Sequence, residues 1–211
     1  MRPLDLQSNS RRVTGCISGL AFLILVFAVS SNATSAIDNA ARNWAIAFNT
    51  PSLVNIWKGF SFIGSTGFLT VVTLACITAL ASQRRWQVAL WLSCVGLGAI
   101  VLDITGKWLI HRPRPDEIYP GTMPASYSFP SGHAFYSLVL YSAIFATLRP
   151  LFRASLNLYF ALLAVLLAVC IGTSRVFLGV HYVSDVLGGY LLAWMWLCLM
   201  LEIQPASLPD P

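Results

Sequence analysis

The chain has 211 residues, 57% of them hydrophobic and 10% charged, whereas soluble domains carry about 25% charged residues. This composition excludes a water-soluble globule, and at about 20 residues per membrane-crossing helix the length accommodates at most six or seven spans and no second folded domain. The net charge of +5 would point to nucleic acid in a soluble protein. Here Lys and Arg stand at the ends of apolar runs, where they set membrane orientation, so no nucleic-acid partner is expected.

Six apolar stretches, near 13–31, 55–81, 86–110, 132–148, 155–175 and 183–201, read as spans. The expected fold is all-α: a polytopic membrane helix bundle of six transmembrane helices, a single domain over residues 1–211. The first span follows Arg2, Arg11 and Arg12 and precedes a small-residue stretch, as in a signal peptide, but its apolar run is too long for one and reads as a retained helix. Between the first two spans, over residues 36–49, Ile37, Ala41, Trp44 and Phe48 recur at helical spacing opposite Asp38, Asn39, Arg42 and Asn43. This pattern fits a short interfacial helix opened by a Ser35-x-x-Asp38 capping box, and equally a connector packed on the bundle. The five cysteines, Cys16, Cys76, Cys94, Cys170 and Cys198, lie in apolar segments with no metal or disulfide spacing and read as small core residues.

Arg2, Arg11, Arg12, Arg84, Arg85, Arg149 and Arg153 fall in loops on one side of this layout, which is therefore the cytoplasmic side and holds both termini. The other side carries Arg42 and Lys58 beside three polar clusters: Lys107 to Arg114, Ser131 to His133, and Arg175 to Asp185. All three clusters thus converge on the outward face. Strong polar groups at membrane depth are costly and default to functional candidates.

Lys107 and Arg114, seven residues apart, share a face if the helix persists, although Pro113 and Pro115 argue against helix beyond Arg112. Together with Arg175 they supply three cations suited to phosphate oxygens. Asp103, one turn before Lys107, is placed to pair with it. Ser131 can cap the span that begins at Gly132, where first-turn amides form an anion site, and His133 puts an imidazole beside it. His181 and Asp185, at i and i+4, share a helical face so that the carboxylate can accept from one ring nitrogen. His111 reads as structural or peripheral and Arg112 as an outer-rim cation. Residues 113–130 hold five prolines with Asp116, Glu117, Tyr119 and Tyr127, a length suited either to a headgroup-reading lid or to a rigid cover.

Lys107-x6-Arg114-Pro115, Pro130-Ser131-Gly132-His133 and Ser174-Arg175-x5-His181-x3-Asp185 together resemble the three-part signature of the PAP2 (type 2 phosphatidic acid phosphatase) superfamily. The resemblance implies that His181 attacks phosphorus to form a phosphohistidine, that Asp185 supports its imidazole, and that His133 is the general acid and then the base. It assigns phosphate binding to Lys107, Arg114, Ser131, Gly132 and Arg175, and implies no metal and no cofactor. The expected activity is hydrolysis of a membrane lipid phosphate or diphosphate, such as undecaprenyl diphosphate, phosphatidylglycerol phosphate or phosphatidate, at the outer face of a bacterial inner membrane. The alternatives are a lipid A-type phosphatase or phosphotransferase of the same superfamily and, outside enzymes, an anion- or lipid-binding transporter. Broken midplane helices and internal symmetry would mark a transporter; here the polar groups lie at span ends and no repeat is evident.

Overall fold

The computed structural model describes residues 3–116, 118–119, 124–151 and 153–205. Its elements are α1 (Pro3–Ser30), α2 (Ser35–Phe48), α3 (Pro51–Ile63), α4 (Thr66–Ser82), α5 (Trp86–Ile110), α6 (Gly132–Leu148), α7 (Ala154–Phe177) and α8 (Val183–Glu202). A single 3₁₀ turn, Arg149–Leu151, joins α6 to α7, and no strand occurs among the described residues.

Four helical segments, Asn9–Ser30, Trp86–Ile110, Ser155–Phe177 and Val183–Glu202, are long and apolar enough to cross a membrane. The span expected near 55–81 is instead two helices, α3 and α4, bent by 41°. Local chemistry explains the break. Gly64 closes α3, and Ser65 caps α4 by accepting from Phe68 N at 3.3 Å. A Cβ on Gly64 would stand 2.2 Å from Cγ2 of Ile171 on α7, so only glycine permits this approach. Counted as one crossing, the bent pair makes a fifth span, while α6 has 17 residues and falls short of that length.

Shortness suits α6 because it lies inside the bundle. It packs against α4, α5, α7 and α8, and Ala134, Phe135, Val139 and Ala143 are fully buried along it. Leu92, Val95 and Ala99 of α5 and Leu197 of α8 complete this core. In lipid, helices associate through close packing of small residues rather than by exclusion from water. The contact of α1 with α8 follows that rule, with Gly15 set against Cys198 and Gly19 against Met195. Ser18 Oγ adds a hydrogen bond to Leu191 O at 2.7 Å, and Leu20, Leu23, Ile24 and Phe27 face outward.

α2 forms where expected, without the expected capping box. Thr34 holds the N-cap position with no side-chain cap, and Ser35 Oγ donates to Asn32 O at 2.7 Å. Asp38 is 1% exposed, turned into the protein rather than along a solvated face. Trp44 meets Phe177 of α7 edge-on at 5.3 Å, so α2 is packed on the bundle while Ile37 and Phe48 stay exposed. The cysteines also depart from expectation. All five are free, yet only Cys198 is buried; Cys16 and Cys94 are exposed on outward apolar faces.

Candidate active site

The C-terminal ends of α5 and α7 and the N-terminal ends of α6 and α8 meet at one end of the bundle. Ser131 N donates to Asp185 O at 2.9 Å, which fastens the start of α6 to the first turn of α8. α5 stops at Ile110 because His111 adopts a left-handed conformation (φ 50°) and Pro113 and Pro115 follow. Arg112 and Arg114, on either side of Pro113, therefore reach different partners.

Arg114 is held between two loops. Its Nε donates to Ser126 O at 2.7 Å, Nη2 to Ser126 Oγ at 3.1 Å and Tyr127 O at 3.2 Å, and Nη1 to Val180 O at 2.7 Å. The same Nη1 lies 3.2 Å from His181 Nε2. Arginine can only donate, so Nε2 accepts and the ring proton resides on Nδ1, which is 3.3 Å from Asp185 Oδ2. Burial pushes the His181 imidazole down to about 4 against the upward pull of Asp185, and Arg114 and Arg175 push the same way. The ring is therefore neutral at neutral pH, with its Nε2 lone pair directed at the Arg114 guanidinium.

The His181–Asp185 contact does not use a helical face. His181 lies before α8, and Asp185 reaches back from the first turn to accept from Tyr182 N at 2.9 Å as well. Gly179, at φ +70°, turns the chain out of α7 so that Val180 and His181 fold back on Arg175 O. Ser128, fully buried, donates to Asp185 Oδ2 and lies 3.5 Å from His181 Nδ1.

Lys107, in the last turn of α5, has Nζ 2.5 Å from Asp103 Oδ1, and Tyr136 Oη donates to the other oxygen of Asp103 at 3.1 Å. A Cβ on Gly132 would lie 3.1 Å from Lys107 Nζ, so the ammonium stands over the first residue of α6. Ser131 occupies the N-cap position but makes no side-chain cap; its Oγ is buried without a hydrogen-bond partner, as is Nε of Arg175. Arg175 is 6% exposed and donates from Nη1 to Ser61 Oγ of α3. His133, one residue into α6, lies within electrostatic reach of the cations of Arg175, Lys107 and Arg114. The three predicted clusters thus come together.

Other expectations require correction. Arg112 is no rim cation: its side chain is 12% exposed and is paired with Asp38 at 2.7 Å and Asp185 at 2.5 Å. His111 is exposed, with its ring against Tyr127 at 4.6 Å, a peripheral position as expected. Asp116 is exposed and its carbonyl accepts from Arg42, Tyr119 packs on Val54, Leu178 and Val180, and Glu117 lies outside the described residues. Sequence reasoning missed Ser61, Ser126, Ser128, Asp38 and Ser184. Of these only Ser61, a hydroxyl within an apolar helix, and Asp38, a charge beside one, carry a visible signal.

Comparisons with known proteins point to one family. The PAP2 superfamily profile matches residues 87–208. The chain is 33% identical to phosphatidylglycerophosphatase B of Bacillus subtilis over 82% of its length and 86% of that protein's. It is 32% identical to decaprenylphosphoryl-5-phosphoribose phosphatase of Mycobacterium tuberculosis over 67% of this chain and 75% of that one. A 33% identity to undecaprenyl-diphosphatase of Sulfolobus acidocaldarius spans 50% of each chain. The crystal structure of a transmembrane PAP2-type phosphatidylglycerolphosphate phosphatase from Bacillus subtilis superposes with a TM-score of 0.83 at 31% identity, covering 90% of this chain and 95% of that one. With three signature clusters assembled at one end of an apolar bundle, this chain belongs to the PAP2 superfamily and is a membrane phosphatase of lipid metabolism.

Proposed function

We propose that this chain hydrolyses phosphatidylglycerol phosphate or a closely similar lipid phosphate through a phosphohistidine on His181, without a metal. The observation that carries the reading is the division of labour at His181. Nδ1–H faces Asp185, and Nε2 presents its lone pair beside Arg114. In the first step Nε2 attacks phosphorus, the bond to the lipid oxygen breaks, and His133 gives that oxygen its proton. In the second step His133 takes a proton from water, which attacks phosphohistidine and releases inorganic phosphate. Lys107, Arg114, Arg175, Ser131 Oγ and the Gly132 amide hold the equatorial oxygens. Ser131 Oγ and Arg175 Nε, both buried without partners, are placed to take such oxygens with no bond to break first. The transporter reading falls with membership of a phosphatase family.

The likeness to two phosphatidylglycerol-phosphate phosphatases over most of the chain supports the headgroup. The polyprenyl-linked substrates named for two other relatives make an isoprenoid phosphate or diphosphate the second reading. We read the whole chain as one domain of six crossings, with α3 and α4 together as one and α6 as another. Arg11, Arg12, Arg84, Arg85, Arg149 and Arg153 lie at the end away from the site, which supports cytoplasmic termini and an outward-facing site in a bacterial inner membrane. Phosphate release from phosphatidylglycerol phosphate, phosphatidate and undecaprenyl diphosphate, compared side by side with and without EDTA, tests the proposal. The first substrate is expected to be preferred and EDTA to leave its turnover intact. Preference for undecaprenyl diphosphate would move the assignment to the second reading, and complete loss in EDTA would contradict the cation clamp.

A further inference from the structure

Arg112 is engaged by two carboxylates from distant parts of the chain. Its Nη1 donates to Asp185 Oδ1 at 2.5 Å and to Ser184 Oγ at 2.7 Å, and its Nη2 donates to Asp38 Oδ2 at 2.7 Å. The guanidinium also lies 4.2 Å over the Tyr182 ring. Asp38 in turn accepts from Ser184 N at 3.0 Å and Ser184 Oγ at 2.7 Å, so an α2 carboxylate caps the first turn of α8. Asp38 is 1% exposed and Asp185 is fully buried. Buried carboxylates this close repel each other unless a cation stands between them, and a forked guanidinium can serve both at once.

Resting on the phosphohistidine reading above, we propose that Arg112 and Asp38 are positioning residues. They fix the carboxylate of Asp185, and through it the ring of His181, by tying α2 to the start of α8. One oxygen of Asp185 is taken by Arg112, which leaves the other for Ser128, Tyr182 N and His181. The carboxylate therefore cannot rotate without breaking a charge-assisted bond. Neither residue needs to touch the phosphoryl group, since both ends of the Arg112 fork are already engaged, Nη1 by Asp185 and Ser184 and Nη2 by Asp38 and Thr34. Arg42, one turn further along α2, donates to Asp116 O, so the same helix also holds the loop that follows Arg112.

The test is single-turnover and steady-state hydrolysis of phosphatidylglycerol phosphate in detergent by wild type, Arg112→Gln, Arg112→Lys, Asp38→Asn and Asp38→Asn/Arg112→Gln. Arg112→Gln should slow phosphoenzyme formation by about tenfold or more, the scale of a small misplacement of a reacting group, with KM within about twofold of wild type. The charges acting on His181 are Asp185 from α8, Arg114 from the segment after α5 and Arg175 from α7, with His133 of α6 within electrostatic reach; Arg112 acts through Asp185 and is itself paired with Asp38 of α2, while Lys107 and Asp103 of α5 pair with each other. Removing the Arg112 cation lets Asp185 hold the imidazole proton more tightly. The acid limb of kcat/KM then moves to higher pH, by about 0.5 to 1 unit. Arg112→Lys, which keeps the charge and loses the fork, should be slow with its acid limb unmoved. Asp38→Asn should slow turnover alone and add less than its own effect to Arg112→Gln, because part of its action runs through that residue and part through Ser184.

Wild-type turnover in Arg112→Gln, or fully additive effects in the double variant, would overturn the proposal. Should Arg112→Gln fail to fold, Asp38→Asn changes one atom and carries the same test, wild-type turnover there being the overturning result. Absence of any phosphoenzyme in the wild type would instead reject the chemistry assigned to His181.

Discussion

The two nitrogens of His181 have different neighbours, and in the proposed mechanism that asymmetry decides which of them attacks phosphorus. Nδ1 is committed to a carboxylate and Nε2 to a cation that a phosphoryl oxygen can take over. In the proposed mechanism His133 has a different task, supplying the proton that the departing lipid oxygen needs. The dependence of rate on leaving group separates the two roles. His133→Asn should slow lipid phosphate hydrolysis by about 10²-fold or more, the usual worth of a positioned acid, and should slow an aryl phosphate with an acidic phenol far less. Equal loss on both substrates would remove the acid role. The motif residues were legible at this scale because each is a strong polar group at a span end. Arg112 was not, because its importance lies in Asp38, 74 positions away, and a pairing set by tertiary contact leaves no local pattern. Ser131 was legible as an N-cap by position but not in its side chain, which turns inward instead of capping.

At the level of the helix, the bend between α3 and α4 places Ser61 against Arg175 while Gly64 lets Ile171 of α7 come close. Ile171 and Arg175 are one turn apart, so this contact sets how deeply the cation sits. Gly64→Ala forces a methyl group into Ile171 and should destabilise the protein by about 1 to 3 kcal/mol, read as a lowered Tm in detergent. Gly64→Ala/Ile171→Val should recover part of that loss. An unchanged Tm in the single variant would show that the helices shift apart freely. Hydropathy located the helices, since lipid-facing Leu, Ile and Val runs are long and uninterrupted. It passed over this break because Gly64 and Ser65 barely lower the apolar average of the run around them. The His181–Asp185 spacing was read as one helical face for a related reason: the spacing fits a helix, but Gly179 ends α7 and α8 starts only after His181.

Across the whole molecule, burial and chemistry are concentrated together. α6, apolar all round, fills the centre, and its first turn carries Ser131, Gly132 and His133 to the end where α5 delivers Lys107 and α7 delivers Arg175. Charge at the other end is of another kind, with Arg12 Nε paired to Glu202 at 2.9 Å between α1 and α8. The convergence of three clusters followed from counting spans, because helices that alternate in direction bring every second connection to the same face. What the count could not supply was the loop before α6, where Ser126 and Ser128 grip Arg114 and Asp185, since loops carry no periodicity to read. In the proposed mechanism phosphate passes through His181. Rapid quenching of the protein with lipid substrate labelled in its terminal phosphate tests it most directly. Base-stable, acid-labile label is expected on a peptide containing His181, present in wild type and absent, together with turnover, from His181→Ala. Label on another residue, or steady phosphate release by His181→Ala, would contradict it.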